Sequence, residues 1–129
     1  MADQTRVDFD IEATRVELPP TLFEGKEAQE GKPLGGWLAM IEGNLKGEAF
    51  YLYEGRNMIG SSSQCDITIL DEGVQNQHVS IRLSSGKWMI TDLDTDSGTF
   101  LNGKRVHRNE LKDGDKIKIG KALLRIKML

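Results

Sequence analysis

Cys65 is the only cysteine, so no internal disulfide can form and a reducing compartment, the cytoplasm, is the expected setting. Aromatic residues make up just 6% of the chain, enough for a core but too few for a large ligand cavity. Long apolar runs are missing. The longest, such as Trp37–Ile41, have five residues, whereas a membrane span takes about 20 and a signal peptide about 7–15. Neither insertion nor export is therefore expected. There is no positive surplus either: 17 Lys and Arg face 20 Asp and Glu, a net charge of −3. Counterion release from a phosphate backbone requires the opposite sign, so nucleic acid is not an expected partner. A length of 129 residues leaves room for one folded unit.

Proline is scarce and localised. Pro19, Pro20 and Pro33 are the only three, all within residues 1–36, a stretch with eight acidic against four basic residues. Its sparse aliphatics cannot bury enough surface to offset the entropy of ordering, which predicts a flexible acidic tail over 1–36 and a folded domain over 37–129. The tail contains one short repeat, Thr5-Arg6-Val7-Asp8 and Thr14-Arg15-Val16-Glu17. A threonine followed three positions on by an acid makes Thr14, and less so Thr5, a candidate phosphoacceptor. Phosphorylation there would add about −1.5 to −2 charges.

From Trp37 onward, short apolar segments recur every eight to twelve residues, among them Phe50–Tyr53, Asp66–Leu70, Val79–Leu83, Trp88–Leu93 and Leu123–Leu129. Several alternate with period two. In Ile117-Lys118-Ile119 and Leu124-Arg125-Ile126-Lys127-Met128, apolar side chains take one sheet face and charges the other. Gly43, Gly47, Gly55, Gly86, Gly103 and Gly114 fall between the segments, where tight turns require positive φ. No helical stripe is sustained. The predicted class is all-β, a sandwich or small barrel.

Catalytic and metal chemistry find no residues to use. His78 and His107 have no carboxylate or cysteine at ligand spacing, so neither a metal nor a cofactor is expected. Asp92-Leu93-Asp94-Thr95-Asp96 opens like a calcium loop, but its sixth position is Ser97 and its twelfth Gly103, where such a loop needs Gly and Glu. Ser61, Ser62 and Ser63 lack a nucleophile elbow, and the Gly-Lys pairs lack the rest of a phosphate-cradling loop. Lys104, Arg105 and Arg108 form a basic cluster, most simply a solvated hairpin.

What remains is an ordered series: Asn57-Met58-Ile59-Gly60, then Cys65-Asp66-Ile67-Thr68-Ile69, Val74-Gln75-Asn76-Gln77-His78-Val79, Asp92-Leu93, Ser97 through Gly103, and Leu111-Lys112-Asp113-Gly114-Asp115 followed by Lys116 through Gly120. In order and spacing it resembles the forkhead-associated (FHA) domain family, over about seven tenths of the chain. The resemblance implies a sandwich of two twisted sheets, about eleven strands in all, that reads phosphothreonine peptides with loops at one end. It implies structural roles for Gly60, Gly103 and a buried His78 that hydrogen-bonds loop backbone. It places the peptide-binding loops at Ser61, Gln75, Asn76, Ser97, Thr99 and Asn102.

Within those loops the chain departs from the family. Ser61 stands where the family has its phosphate-neutralising arginine, Gln75-Asn76 where it has Ser-Arg, and Ser97 where it has Asn. Two lost charge-assisted contacts would cost about 3–6 kcal/mol, or two to four decades in affinity. The expected function is a signalling interaction module that binds a protein or peptide partner independently of phosphate. Two alternatives stand beside it: a phosphothreonine reader that binds its own phosphorylated tail, and a scaffold subunit of a larger assembly such as a secretion apparatus.

Overall fold

A computed structural model of the protein describes residues 31–129. The expected tail and its Thr5 and Thr14 lie almost wholly outside that range. Eleven strands and no helix make up the described residues. They are β1 (Leu34–Glu42), β2 (Ala49–Tyr53), β3 (Gly55–Gly60), β4 (Ile67–Thr68), β5 (Val79–Ser84), β6 (Lys87–Asp92), β7 (Thr99–Leu101), β8 (Lys104–Val106), β9 (Arg108–Glu110), β10 (Lys116–Ile119) and β11 (Ala122–Met128). One sheet has six strands in the order β2-β1-β11-β10-β7-β8, the other five in the order β4-β3-β5-β6-β9. The chain changes sheets between β8 and β9, across His107.

The period-two reading of the sequence corresponds to this arrangement. Ile117, Ile119, Leu124 and Ile126 are buried, while Lys118, Arg125 and Lys127 are exposed on the other face. Facing them across the sandwich are Ile59, Val79, Ile81, Trp88 and Ile90 of the second sheet, which complete one continuous core. Full burial of each such aliphatic side chain contributes about 1.5–3 kcal/mol. Trp88 belongs to this core, and Phe50 packs against it. Trp37 is buried too, but stands outside the cluster.

The six glycines read as turn residues all have positive φ. Two hairpins show the reason. Ser85-Gly86 between β5 and β6, and Asn102-Gly103 between β7 and β8, place two consecutive residues at positive φ, with values of 53° and 76° and of 51° and 86°. Such pairs match the right-handed twist of the strands they join. Asn57 fixes the β2–β3 corner from inside: it accepts from the Tyr53 amide at 2.9 Å and donates to the carbonyls of Tyr53 at 2.8 Å and Ile81 at 3.0 Å.

The first strand begins before Trp37. Residues 34–36, expected to belong to the tail, are part of β1: Leu34 pairs with Tyr53, and Gly36 with Leu52 and Met128. Glycine-rich and next to Pro33, this stretch lacks a strand's usual composition. Its neighbours on both sides nevertheless supply hydrogen-bond partners, and Gly35 faces Leu83 and Trp88 so closely that a Cβ would lie 2.6 Å from Leu83.

Candidate peptide-binding site at the loop end

Three connections meet at one end of the sandwich: residues 61–66 after β3, 69–78 after β4, and 93–98 after β6. Backbone hydrogen bonds tie the first two together, from Ser61 to the Gln75 carbonyl at 2.9 Å and from Ser62 to the Asn76 carbonyl at 3.2 Å. Gly60 makes this approach possible, because a Cβ there would collide with the Asn76 carbonyl oxygen. Fully buried His78 joins the second loop to the third. Its Nδ1 accepts from the Gln75 amide at 3.1 Å and its Nε2 lies 2.9 Å from the Gly98 carbonyl oxygen, so one ring bridges both loops.

The 93–98 loop is shaped by a buried carboxylate. Asp92 accepts from the Thr95 amide at 3.1 Å, the Thr95 hydroxyl at 2.7 Å and the Thr99 hydroxyl at 2.6 Å. Burial pushes its pKa up, but the hydrogen bonds from Thr99 and Thr95, with proximity to His78, outweigh that and hold the carboxyl below the ordinary range. The Thr95 hydroxyl accepts in turn from the Gly98 amide at 3.0 Å. Asp92 and Thr95 were not among the site residues read from sequence. An Asp whose side chain takes the amide three residues on is a recognisable turn signal, and it was the one available clue.

Four of the six expected loop residues come together. Ser61 Oγ and Asn76 Oδ1 are 3.2 Å apart. Gln75 Oε1 accepts from the backbone amides of Asp96 at 2.7 Å and Ser97 at 3.3 Å, and Ser97 Oγ donates to the Gly73 carbonyl at 2.8 Å. The other two lie apart from these four. Thr99 is fully buried and its hydroxyl is spent on Asp92, so it braces the loop from beneath. Asn102 sits at the opposite end of β7, in the β7–β8 turn, where it accepts from the Lys116 amide at 3.0 Å and donates to Asp115 at 3.1 Å. Its polar atoms lock β7 to β10, about 10 Å of strand away from the loops.

Charge at the loop end is mixed. Asp94 and Asp96 are exposed there. Arg105, on β8, lies over Gly98, where an added Cβ would come within 2.7 Å of its Nε, and it donates to the Thr95 carbonyl at 3.4 Å. The basic cluster is divided between sheets, with Lys104 and Arg105 in one and Arg108 in the other. Among the described residues, no group of three or more His, Cys, Asp or Glu is arranged to hold a metal, and no helix is long and apolar enough to cross a membrane.

Two sheets of six and five strands, with three loops gathered around a buried histidine, define an FHA-type sandwich, a class of signalling and protein-binding domains. Residues 39–128 match the family described as the inner membrane component of the type III secretion system, cytoplasmic domain. The glycogen accumulation regulator GarA of Mycolicibacterium smegmatis is 30% identical over 95% of this chain and 85% of its own length. FhaA of Mycobacterium tuberculosis, an FHA domain-containing protein, is 32% identical over 64% of this chain, which spans just 16% of FhaA. The FhaA FHA domain, solved in complex with the intracellular domain of Rv3910, superposes with a TM-score of 0.66 at 29% identity, over 71% of this chain and 99% of that one. An FHA domain solved in work on phosphothreonine-dependent FHA interactions gives 0.68 at 29% identity, over 74% and 97%. The chain belongs to the FHA domain family, which includes the FHA-like cytoplasmic domain matched here.

Proposed function

We propose that this FHA domain docks a protein partner on its loop end through shape and neutral hydrogen bonds, without requiring phosphate. The observation that carries this reading is the position of Gln75. Its amide oxygen occupies the Asp96 and Ser97 amides, two donors that an anion would otherwise find open. Ser61 and Asn76 are engaged with each other, and the exposed Asp94 and Asp96 would repel a dianion. The contact residues in this reading are Ser61, Gln75, Asn76 and Ser97. The partner is a protein or peptide, and no catalytic step is involved.

Arg105 favours a second reading. A guanidinium that already reaches Thr95 and Gly98 could supply the charge missing at Ser61, which would make the domain a phosphothreonine reader for Thr14, or less readily Thr5, of its own N-terminal segment. The complex of the FhaA domain with an intracellular domain, and GarA's name as a regulator, are in keeping with either reading. The family description adds a third, a scaffold subunit of a secretion apparatus. Titration of the protein with peptides spanning residues 8–20, with and without phosphate on Thr14, separates them. Phosphate-independent docking predicts less than a tenfold difference, about 1.4 kcal/mol, and no change in that ratio in Arg105→Ala. Micromolar binding of the phosphopeptide alone, abolished in Arg105→Ala, would establish the reader instead. Recovery of one stoichiometric apparatus component with the intact chain would favour the scaffold.

A further inference from the structure

The outer face of the six-stranded sheet is neither a plain solvated surface nor part of the loop end. Strand register sets its composition. Trp37 pairs with Tyr51 on one side and Lys127 on the other, Ala39 with Arg125, and Arg125 with Lys116. Lys118 lies between Leu123 and Phe100, and Phe100 beside Arg105. Since Leu38, Leu124, Ile126, Ile117 and Ile119 point into the core, these alternate residues share the opposite face. The face thus combines aromatic rings with four cations, Lys116, Lys118, Arg125 and a Lys127 paired with Asp113 at 3.3 Å, and a groove of about 520 Å³ opens between Phe100, Leu123, Lys116 and Lys118.

Trp37 stands on this face outside the core cluster, and at 6% exposure it is already covered by its neighbours, which leaves the groove beside Phe100 and Leu123 as the open part of the face. The chain itself has a segment with the matching chemistry. Residues 1–30 contain eight acidic against three basic residues, and Val7-Asp8-Phe9-Asp10-Ile11-Glu12 alternates apolar and acidic without a break. Such alternation gives an extended chain one apolar and one anionic edge.

We propose that the N-terminal segment around Val7–Glu12 docks on the outer face of the six-stranded sheet, along the groove between Phe100 and Leu123, held by apolar contact and by the surrounding lysines and Arg125. The reach is ample. Twenty-one residues separate Glu12 from Leu34 at the start of β1, a span of up to about 70 Å, whereas six strands are about 24 Å wide. β1 is itself a strand of this sheet, so the segment enters at the face it would cover. Attachment in one chain provides roughly millimolar effective concentration, enough for a contact too weak to hold two separate molecules. The contact requires no phosphate and leaves the loop end open.

Paramagnetic broadening in the full chain tests this. A spin label on Ala13→Cys leaves the native cysteine untouched, because Cys65 is buried. The Trp37 indole signal and the amides of Leu123, Arg125 and Lys127 should lose more than half their intensity, and regain it at high salt. Broadening centred on Ser61–Ser63, Gln75–Gln77 or Asp94–Gly98 instead would overturn the proposal, as would none beyond that of a freely diffusing tail. In a mixture of labelled unenriched and unlabelled enriched protein, broadening as strong as within one chain would assign the face to a second copy and equally overturn it. The double variant K118E/R125E should abolish the effect. Should that variant fold poorly, V7S/F9S, which leaves the sandwich unaltered, must abolish it too, and persistence there is decisive against the docking.

Discussion

At the scale of single residues, the loop end depends on a few side chains with little freedom to change. Gly60→Ala forces a methyl group into the Asn76 carbonyl, so the Gln75–Asn76 loop must move away from β3. Overpacking of this kind costs about 1–3 kcal/mol. The expected outcome is a lower Tm together with a larger loss of partner affinity by calorimetry, because the displaced residues are the proposed contacts. Asn57→Ala should be costlier in stability and leave affinity alone. It strands the amide and carbonyl of Tyr53 and the carbonyl of Ile81, and a chemical denaturation curve should show a loss of about 3 kcal/mol. Asp92 gives the fold a pH dependence. Its folded-state pKa is depressed, so its stabilising contribution is complete above the unfolded value of about 3.9 and disappears as pH falls through the lower folded value. In Asp92→Asn, Tm should drop near neutrality and the gap to the wild type should narrow steadily under acid.

At the scale of elements, the strands were legible because their physics is local. A period-two pattern such as Ile117-Lys118-Ile119 fixes which face is wet, and a Ser-Gly or Asn-Gly pair fixes the turn. The start of β1 is not legible for the converse reason: Leu34-Gly35-Gly36 has no pattern of its own and is a strand because β2 and β11 flank it. Asn102 shows the same limit for function. Its identity follows from a turn at φ 51° and from bonds to Asp115 and Lys116, thirteen and fourteen residues away, whereas its expected role follows from resemblance alone. Asn102→Gly keeps the turn conformation and removes the side-chain bonds. It should lower stability by about 1 kcal/mol and leave peptide affinity within twofold, as measured by thermal melts and titration.

For the whole molecule, charge decides more than any one pocket. A loop end bearing Asp94 and Asp96, a basic aromatic face on one sheet, and an acidic segment preceding that sheet give the two proposed contacts opposite electrostatic characters. Salt should therefore affect the two unequally. Contact of the N-terminal segment with the sheet should weaken sharply as ionic strength rises, while docking by neutral hydrogen bonds at the loops should barely change, and the two responses can be followed in one series of spectra. The sequence by itself determined the all-β class, the turns and the FHA resemblance, since each depends on neighbours within a few positions or on their order. Only the tertiary structure decided that Thr99 is a buried brace, that Gln75 closes over the Asp96 and Ser97 amides, and that Arg105 reaches Gly98. Those outcomes turn on distances between segments 7 to 22 residues apart, and side-chain hydrogen bonds of about 3 Å are settled only when the sheets have set those segments side by side.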